Sequence, residues 1–235
     1  MGVSIRAGSA LVGVASMFFL GACDDKFDFS NVITPVASTL AVVAGSNNQV
    51  GIAGQPLPVP ITVHVLDQNG NSIAGAVVSW TIIGASGSVS SPTSTTNASG
   101  DASVIWTLGT VTGTDSLTAS LANGTSVLIT ATATAGAFAN LLINSGQGLA
   151  VPVGVTSAPM VVRAVDVNGN PVAGVTVNFS TTNLGGLLTP PNFMVTDVNG
   201  LASVTLTPVP PTGAFTVTAT AGAAPAVIFS GTITP

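Results

Sequence analysis

The sequence predicts an all-β chain of two tandem β-sandwich domains behind a secretion signal, and three observations predict it. Short runs rich in Val, Thr, Ile and Ala alternate apolar with polar residues, and Gly, Asn and Pro interrupt them every ten residues or so. Blocks of sequence recur in the same order roughly 100 residues apart. Beyond the N-terminus no apolar stretch reaches the about 20 residues needed to cross a bilayer, although 46% of the chain is hydrophobic.

Residues 1–22 read as a signal peptide. Arg6 precedes the apolar run Leu11 to Leu20, which Gly13 and Ser16 dilute and small residues close. Leu20-Gly21-Ala22-Cys23 resembles the lipobox of bacterial lipoproteins. That resemblance implies that Cys23 is acylated, becomes the first residue of the mature chain and anchors it to a membrane. Cys23 is the single cysteine of the 235 residues, so no disulfide framework exists and the thiol is free for lipid. Each buried methylene of an acyl chain contributes about 0.8 kcal/mol, and several chains give stable anchoring. Asp24 and Asp25 resemble the acidic signal that retains lipoproteins in the inner membrane of enteric bacteria, a signal that other lineages read as export. The expected address is the cell envelope, at the outer membrane or cell surface rather than the inner membrane.

Residues 23–36 form the lipidated N-terminus and a tether. This stretch lacks periodicity and carries much of the chain's charge. Residues 37–136 and 137–235 are the two domains. VHVLDQNGNSIAGAVVSW from Val63 aligns with VRAVDVNGNPVAGVTVNF from Val162, and TNASGDASV from Thr96 with TDVNGLASV from Thr196. SLTASLA from Ser116 pairs with FTVTATA from Phe215. In the first domain strands are expected near Ser38 to Val43, then over Ile61 to Leu66, Ala76 to Ile82, Ser103 to Leu108, Asp115 to Leu121 and Ser126 to Ala133. In the second they are expected near Ala139 to Ile143, then over Val161 to Val165, Val172 to Phe179, Ala202 to Leu206, Ala214 to Ala221 and Ala226 to Ile233. The Asn-Gly steps at Asn69-Gly70 and Asn168-Gly169 suit tight hairpin turns between the strands that flank them. Strand count and domain length match an immunoglobulin-like sandwich.

The runs GSNNQVGIAGQPLPVPITVHVLDQNGNSIAGAVVSWTI and GSVSSPTSTTNASGDASVIWTLGTVTG resemble bacterial Ig-like domains of group 1, the invasin/intimin type. The second copy resembles them through RAVDVNGNPVAGVTVNFS, TDVNGLASVTLT and TVTATAG. The resemblance covers nearly all of Ser38 to Pro235. It implies the sandwich fold and a role as spacer or adhesion module in the envelope, and says little of a ligand.

Candidate sites are few. The Asp-x-Asn-Gly-Asn turns offer oxygens at Asp67, Asn69, Asp166 and Asn168 as candidate calcium ligands. Their spacing departs from an EF-hand loop, with Gly70 and Gly169 in fourth rather than sixth place and Val78 and Val177 where a bidentate Glu belongs. An Asx-type turn is the structural expectation. Trp80 and Trp106 align with Phe179 and Leu206, which points to core packing rather than a sugar-stacking platform. The loop Asn183 to Asn192 is apolar for an exposed connection. Leu184, Leu187, Leu188 and Phe193 therefore form either a plug over the sandwich end or a contact patch for an envelope protein, surface protein or polysaccharide.

Composition closes other classes. With Lys26 and Arg163 as the only cations after the signal, there is no basic patch for nucleic acid. One His, no Glu and no Tyr leave little for catalysis, so no catalytic residues, cofactor or resident metal is expected. His64 stands mid-strand where the second copy has Arg163, an outward position with no predicted Asp partner.

Overall fold

The computed structural model describes residues 34–183, 186–190 and 193–235. They contain strands and turns and no helix. The first domain runs through β1 (Ala37–Val42), β2 (Gln49–Ile52), β3 (Ile61–Asp67), β4 (Val77–Ile83), β5 (Ser88–Val89), β6 (Thr93–Thr95), β7 (Asp101–Val104), β8 (Trp106–Thr107), β9 (Gly113–Ser120) and β10 (Ser126–Thr134). One sheet has the order β1-β3-β7 and the facing sheet β2-β10-β9-β4-β6, with β5 and β8 paired beside them. The second domain repeats this with β11 (Asn140–Ser145), β12 (Leu149–Pro152), β13 (Met160–Val165), β14 (Thr176–Thr181), β15 (Leu187–Thr189), β16 (Phe193–Val195), β17 (Leu201–Thr207), β18 (Gly213–Thr220) and β19 (Val227–Thr234). Its sheets are β11-β13-β17-β15 and β12-β19-β18-β14-β16. In each domain a single parallel pair, β2 with β10 and β12 with β19, joins an otherwise antiparallel ladder.

Alternation sets the faces. Along β3, Ile61, Val63 and Val65 are buried and Thr62, His64 and Leu66 are less so, which is the pattern of a strand with one face on a core. The first core gathers these with Val78, Trp80, Trp106, Leu117 and Ile129. The second uses Val162, Phe179, Leu206, Phe215, Val217 and Phe229. Trp80 and Trp106 are thus core residues. Trp106 is fully enclosed and donates its indole N–H to the Ser86 carbonyl at 2.8 Å, which satisfies the one polar atom that burial would otherwise orphan.

Two expectations are corrected. The strands flanking each Asx turn are not a hairpin, because β3 and β4 belong to opposite sheets, as do β13 and β14. The turn closes only a single bridge, Leu66 with Ser72 and Val165 with Pro171. Buried Thr96 and Thr196 then carry the chain across. Each hydroxyl donates to a carbonyl before the crossing, Ile73 or Val172, and accepts the N–H of Ala76 or Val175 after it. The second correction is register. Leu117 pairs with Ile129 and Val217 with Phe229, so Leu117 corresponds to Val217, one residue away from the alignment of Ser116 with Phe215. Strand period explains it: that alignment sets buried Leu117 against half-buried Thr216, whereas the observed one sets buried against buried.

Candidate functional site

The two Asp-x-Asn-Gly-Asn turns have the same internal geometry and different surroundings. In the first, Asp67 Oδ1 accepts the backbone N–H groups of Asn69 at 2.8 Å and Asn71 at 2.9 Å, and Gly70 takes positive φ as the turn requires. In the second, Asp166 Oδ1 accepts Asn168 and Asn170 N–H at 2.9 Å each. Asp166 Oδ2 also accepts the Gly136 N–H at 2.9 Å and the Asn170 side-chain amide at 3.0 Å. Asn71 is exposed, whereas Asn170 is 5% exposed.

What buries Asn170 is the first domain. Its Nδ2 donates to the Thr110 carbonyl at 2.9 Å and its Oδ1 accepts the Thr112 N–H at 3.0 Å. Asn168 Nδ2 adds a bond to the Ala53 carbonyl at 3.2 Å. The second domain therefore plugs its turn into two loops of the first through three hydrogen bonds. Asn170 was not among the expected site residues. Its signal was the asparagine repeated at the end of both turns, where an Asx turn alone needs only the Asp.

The carboxyl groups feel this. Burial pushes Asp166 up, but the Asn170 side chain and the Gly136, Asn170 and Asn168 amides outweigh it and hold the group below the usual carboxylate value. For Asp67 the Asn71 amide leads, against partial desolvation, with help from Asn69, the Asn71 side chain and Gly70, and the direction is the same. The candidate calcium ligands Asp67 and Asp166 thus face N–H donors. Among the described residues no group of three or more His, Cys, Asp or Glu converges.

At the far end of the second domain the corresponding loop is closed from within. Gly154 N–H bonds the Pro208 carbonyl just as Gly54 N–H bonds that of Gly109, which aligns the two loops. Where Thr110 meets the incoming Asn170, Val209 meets its own domain's Asn183: Nδ2 donates to Val209 O, and Val209 N–H donates to Oδ1, both at 3.0 Å. Asn183 is buried.

The expected contact loop divides. Leu188 is 9% exposed and belongs to the core, while Leu187 is 60% and Phe193 55% exposed. These residues are strand rather than loop, in β15 and β16. Leu184 and Cys23 lie outside the described residues.

His64 does have an acidic partner, contrary to expectation. It sits directly opposite Asp101 in the β3–β7 ladder, and its Nδ1 lies 2.7 Å from Asp101 Oδ1. Nε2 lies 3.1 Å from Ser72 Oγ. Sequence reasoning missed this because cross-strand neighbours appear only once register is known. The three polar groups stand partly exposed on the outer sheet face. The groove of about 500 Å³ in this domain is lined elsewhere, by Val36, Ala37, Ala76, Val77, Leu121 and Ala122. The second domain has Arg163, Leu201 and Pro171 at those three positions, so the arrangement is not a property of the repeat.

Among solved structures, the chain is similar to FdeC, an adhesin of Escherichia coli, at 20% identity and TM-score 0.56, covering 84% of this chain and 65% of that one. It is also similar to Yersinia pseudotuberculosis InvD at 23% identity and TM-score 0.48, covering 83% of this chain and 57% of that one. Invasin, a bacterial integrin-binding protein, is similar at 25% identity and TM-score 0.38, covering 84% of this chain and 39% of that one. The chain thus spans less than two thirds of the length of these structures. Comparison with curated proteins found no match. At this identity the likeness to FdeC shows the fold. The family model for the bacterial Ig-like domain (group 1) matches residues 39–136 and 143–231, and the chain belongs to that family.

Proposed function

We propose that this chain is a lipoprotein of the cell envelope, held at the outer membrane or cell surface through acylated Cys23. Its two Ig-like domains act as a non-catalytic spacer or adhesion module toward an envelope protein, surface protein or polysaccharide. The observation that carries the reading is the joint at Asn170. A module that only linked two points by a flexible chain has no use for a buried, fully matched polar contact between its domains. Fixed domains hold whatever the second one presents at a constant distance from the first domain. The lipobox supplies the anchor and the family supplies the module.

The test is expression of the full chain in a bacterium fed a clickable fatty acid. The wild type takes up label and fractionates with membranes, and Cys23→Ser does neither. A Cys23→Ser protein that still fractionates with membranes would sink the anchor and leave the family reading intact.

A further inference from the structure

The polar trio on the outer face of the first domain has an order as well as a proximity. The Asp101 carboxylate has only acceptor oxygens, so the imidazole atom 2.7 Å away, His64 Nδ1, carries the hydrogen between them. In the neutral ring Nε2 is then an acceptor, and the hydroxyl 3.1 Å from it, Ser72 Oγ, donates to it. Carboxylate, imidazole and hydroxyl thus stand in the sequence that turns a serine into a nucleophile, with the base aimed at the hydroxyl proton and the acid fixing the tautomer. The ring is held on a third side: a Cβ on Gly100 would stand 3.2 Å from His64 Cε1 and 3.0 Å from the Ser72 Cβ.

The sandwich does not need this trio. The second domain builds the same strands, the same turn and the same bridge with Arg163, Pro171 and Leu201 in those places. Nor does the trio compensate for burial, because Ser72 is exposed and the side chains of His64 and Asp101 are 32% and 34% exposed. Ser72 also has a donor to offer. Its bridge to Leu66 is closed by the N–H groups of Ile73 and Asp67. The Ser72 N–H therefore turns away from β3, and it bonds nothing among the described residues.

We propose that Ser72 is a nucleophilic serine that accepts an acyl group from an activated ester, with His64 as its base and Asp101 as the residue that positions the base. Ser72 Oγ bonds to the ester carbonyl carbon while its proton passes to His64 Nε2, and the carbonyl oxygen draws on the Ser72 N–H as negative charge develops there. The bond to the leaving aryloxide then breaks, and His64 returns the proton to it. The products are an ester on Ser72 and the free phenol. One backbone donor is less than the pair in a full oxyanion hole, and a missing donor costs about 10²–10³ in rate. The acyl donor must therefore supply its own activation, which selects aryl esters over amides. The proposal goes beyond the spacer or adhesion reading and does not depend on the lipid anchor.

The experiment incubates the full chain carrying Cys23→Ser, which removes the competing thiol, with p-nitrophenyl acetate and locates the acetyl group by peptide mass spectrometry. Ser72 should carry it about tenfold or more above any other Ser or Thr, since a positioned general base contributes about 10²–10⁴. His64→Arg, the residue with which the second domain folds, should remove the label while the melting temperature holds. Asp101→Asn keeps the shape but lets the imidazole carry its proton on Nε2, and should slow the labelling of Ser72 about tenfold or more at an unchanged melting temperature. An unlabelled Ser72, or one labelled as fast in either variant, overturns the proposal.

Discussion

Thr112 in the first domain donates its backbone N–H to the side-chain oxygen of Asn170 in the second at 3.0 Å, and Asn170 returns a bond to the neighbouring Thr110 carbonyl. An amide side chain is suited to this place because it offers a donor and an acceptor side by side, which a loop's backbone can match. The second domain's own loop shows the same solution, with Asn183 bonded both ways to Val209. One asparagine joins the domains, and the other satisfies the corresponding loop of the second domain from within.

Asn170→Ala should lower the unfolding free energy by about 1–3 kcal/mol, the cost of leaving buried partners unmatched. Asn71→Ala, at the equivalent but exposed place, should stay within about 0.5 kcal/mol. Urea denaturation of the full chain followed by tryptophan fluorescence and far-UV circular dichroism measures both. Equal losses would mean that the contact between domains contributes nothing.

Acid should find the same joint. Asp166 and Asp67 both ionise more readily in the folded chain than in the unfolded one. A lowered carboxyl contributes stability that is complete above the unfolded value of about 3.9 and is lost as pH falls through the lower folded value. The denaturation midpoint should therefore stay level from neutral pH to about 5 and decline below about pH 4. Asp166→Asn should start lower and decline less steeply in that acid range. Parallel declines of wild type and variant would show that Asp166 is not responsible.

Much of the fold is legible in the sequence because burial has period two: β3, β9 and β13 can be assigned by reading alternate residues. The errors come where alternation is silent. It cannot say which sheet a strand joins, so the crossing governed by Thr96 and Thr196 reads as a hairpin. An extra residue in the loop between Pro208 and Gly213, compared with that between Gly109 and Gly113, displaces the repeat by one without disturbing either pattern. At the candidate site the asparagines were visible, but their partners lie about 60 positions away, beyond any local rule.

Leu187 and Leu188 separate packing from surface within two residues. Leu188 pairs with buried Leu206 and faces the core, so Leu188→Ser should cost about 2–5 kcal/mol, as truncation of a buried leucine does. Leu187→Ser, on the outward side, should change stability by less than about 0.5 kcal/mol. Thermal melts of the two variants decide it. A large loss for Leu187→Ser would place that residue in the core of the native protein and remove it from the exposed surface.

Calcium should leave the protein's melting temperature where it is. A cation needs oxygen lone pairs directed at one point, six to eight of them for calcium. Asp166 spends both oxygens on N–H groups, from Asn168 and Asn170 on one and from Gly136 and the Asn170 side chain on the other. To bind an ion it would have to surrender bonds that also hold the second domain to the first. Asp67 is less committed, since Oδ2 meets only the Asn71 amide at 3.4 Å, yet Oδ1 serves the same turn and the adjacent Gln68 accepts the Val36 N–H. Millimolar calcium added to the chelator-treated protein tests both turns at once by mass action, because a ligand at a hundred times its Kd adds about 2.7 kcal/mol. A rise in melting temperature that Asp67→Asn abolishes would assign the first turn a cation after all; a rise abolished by Asp166→Asn would mean that the joint opens to bind one.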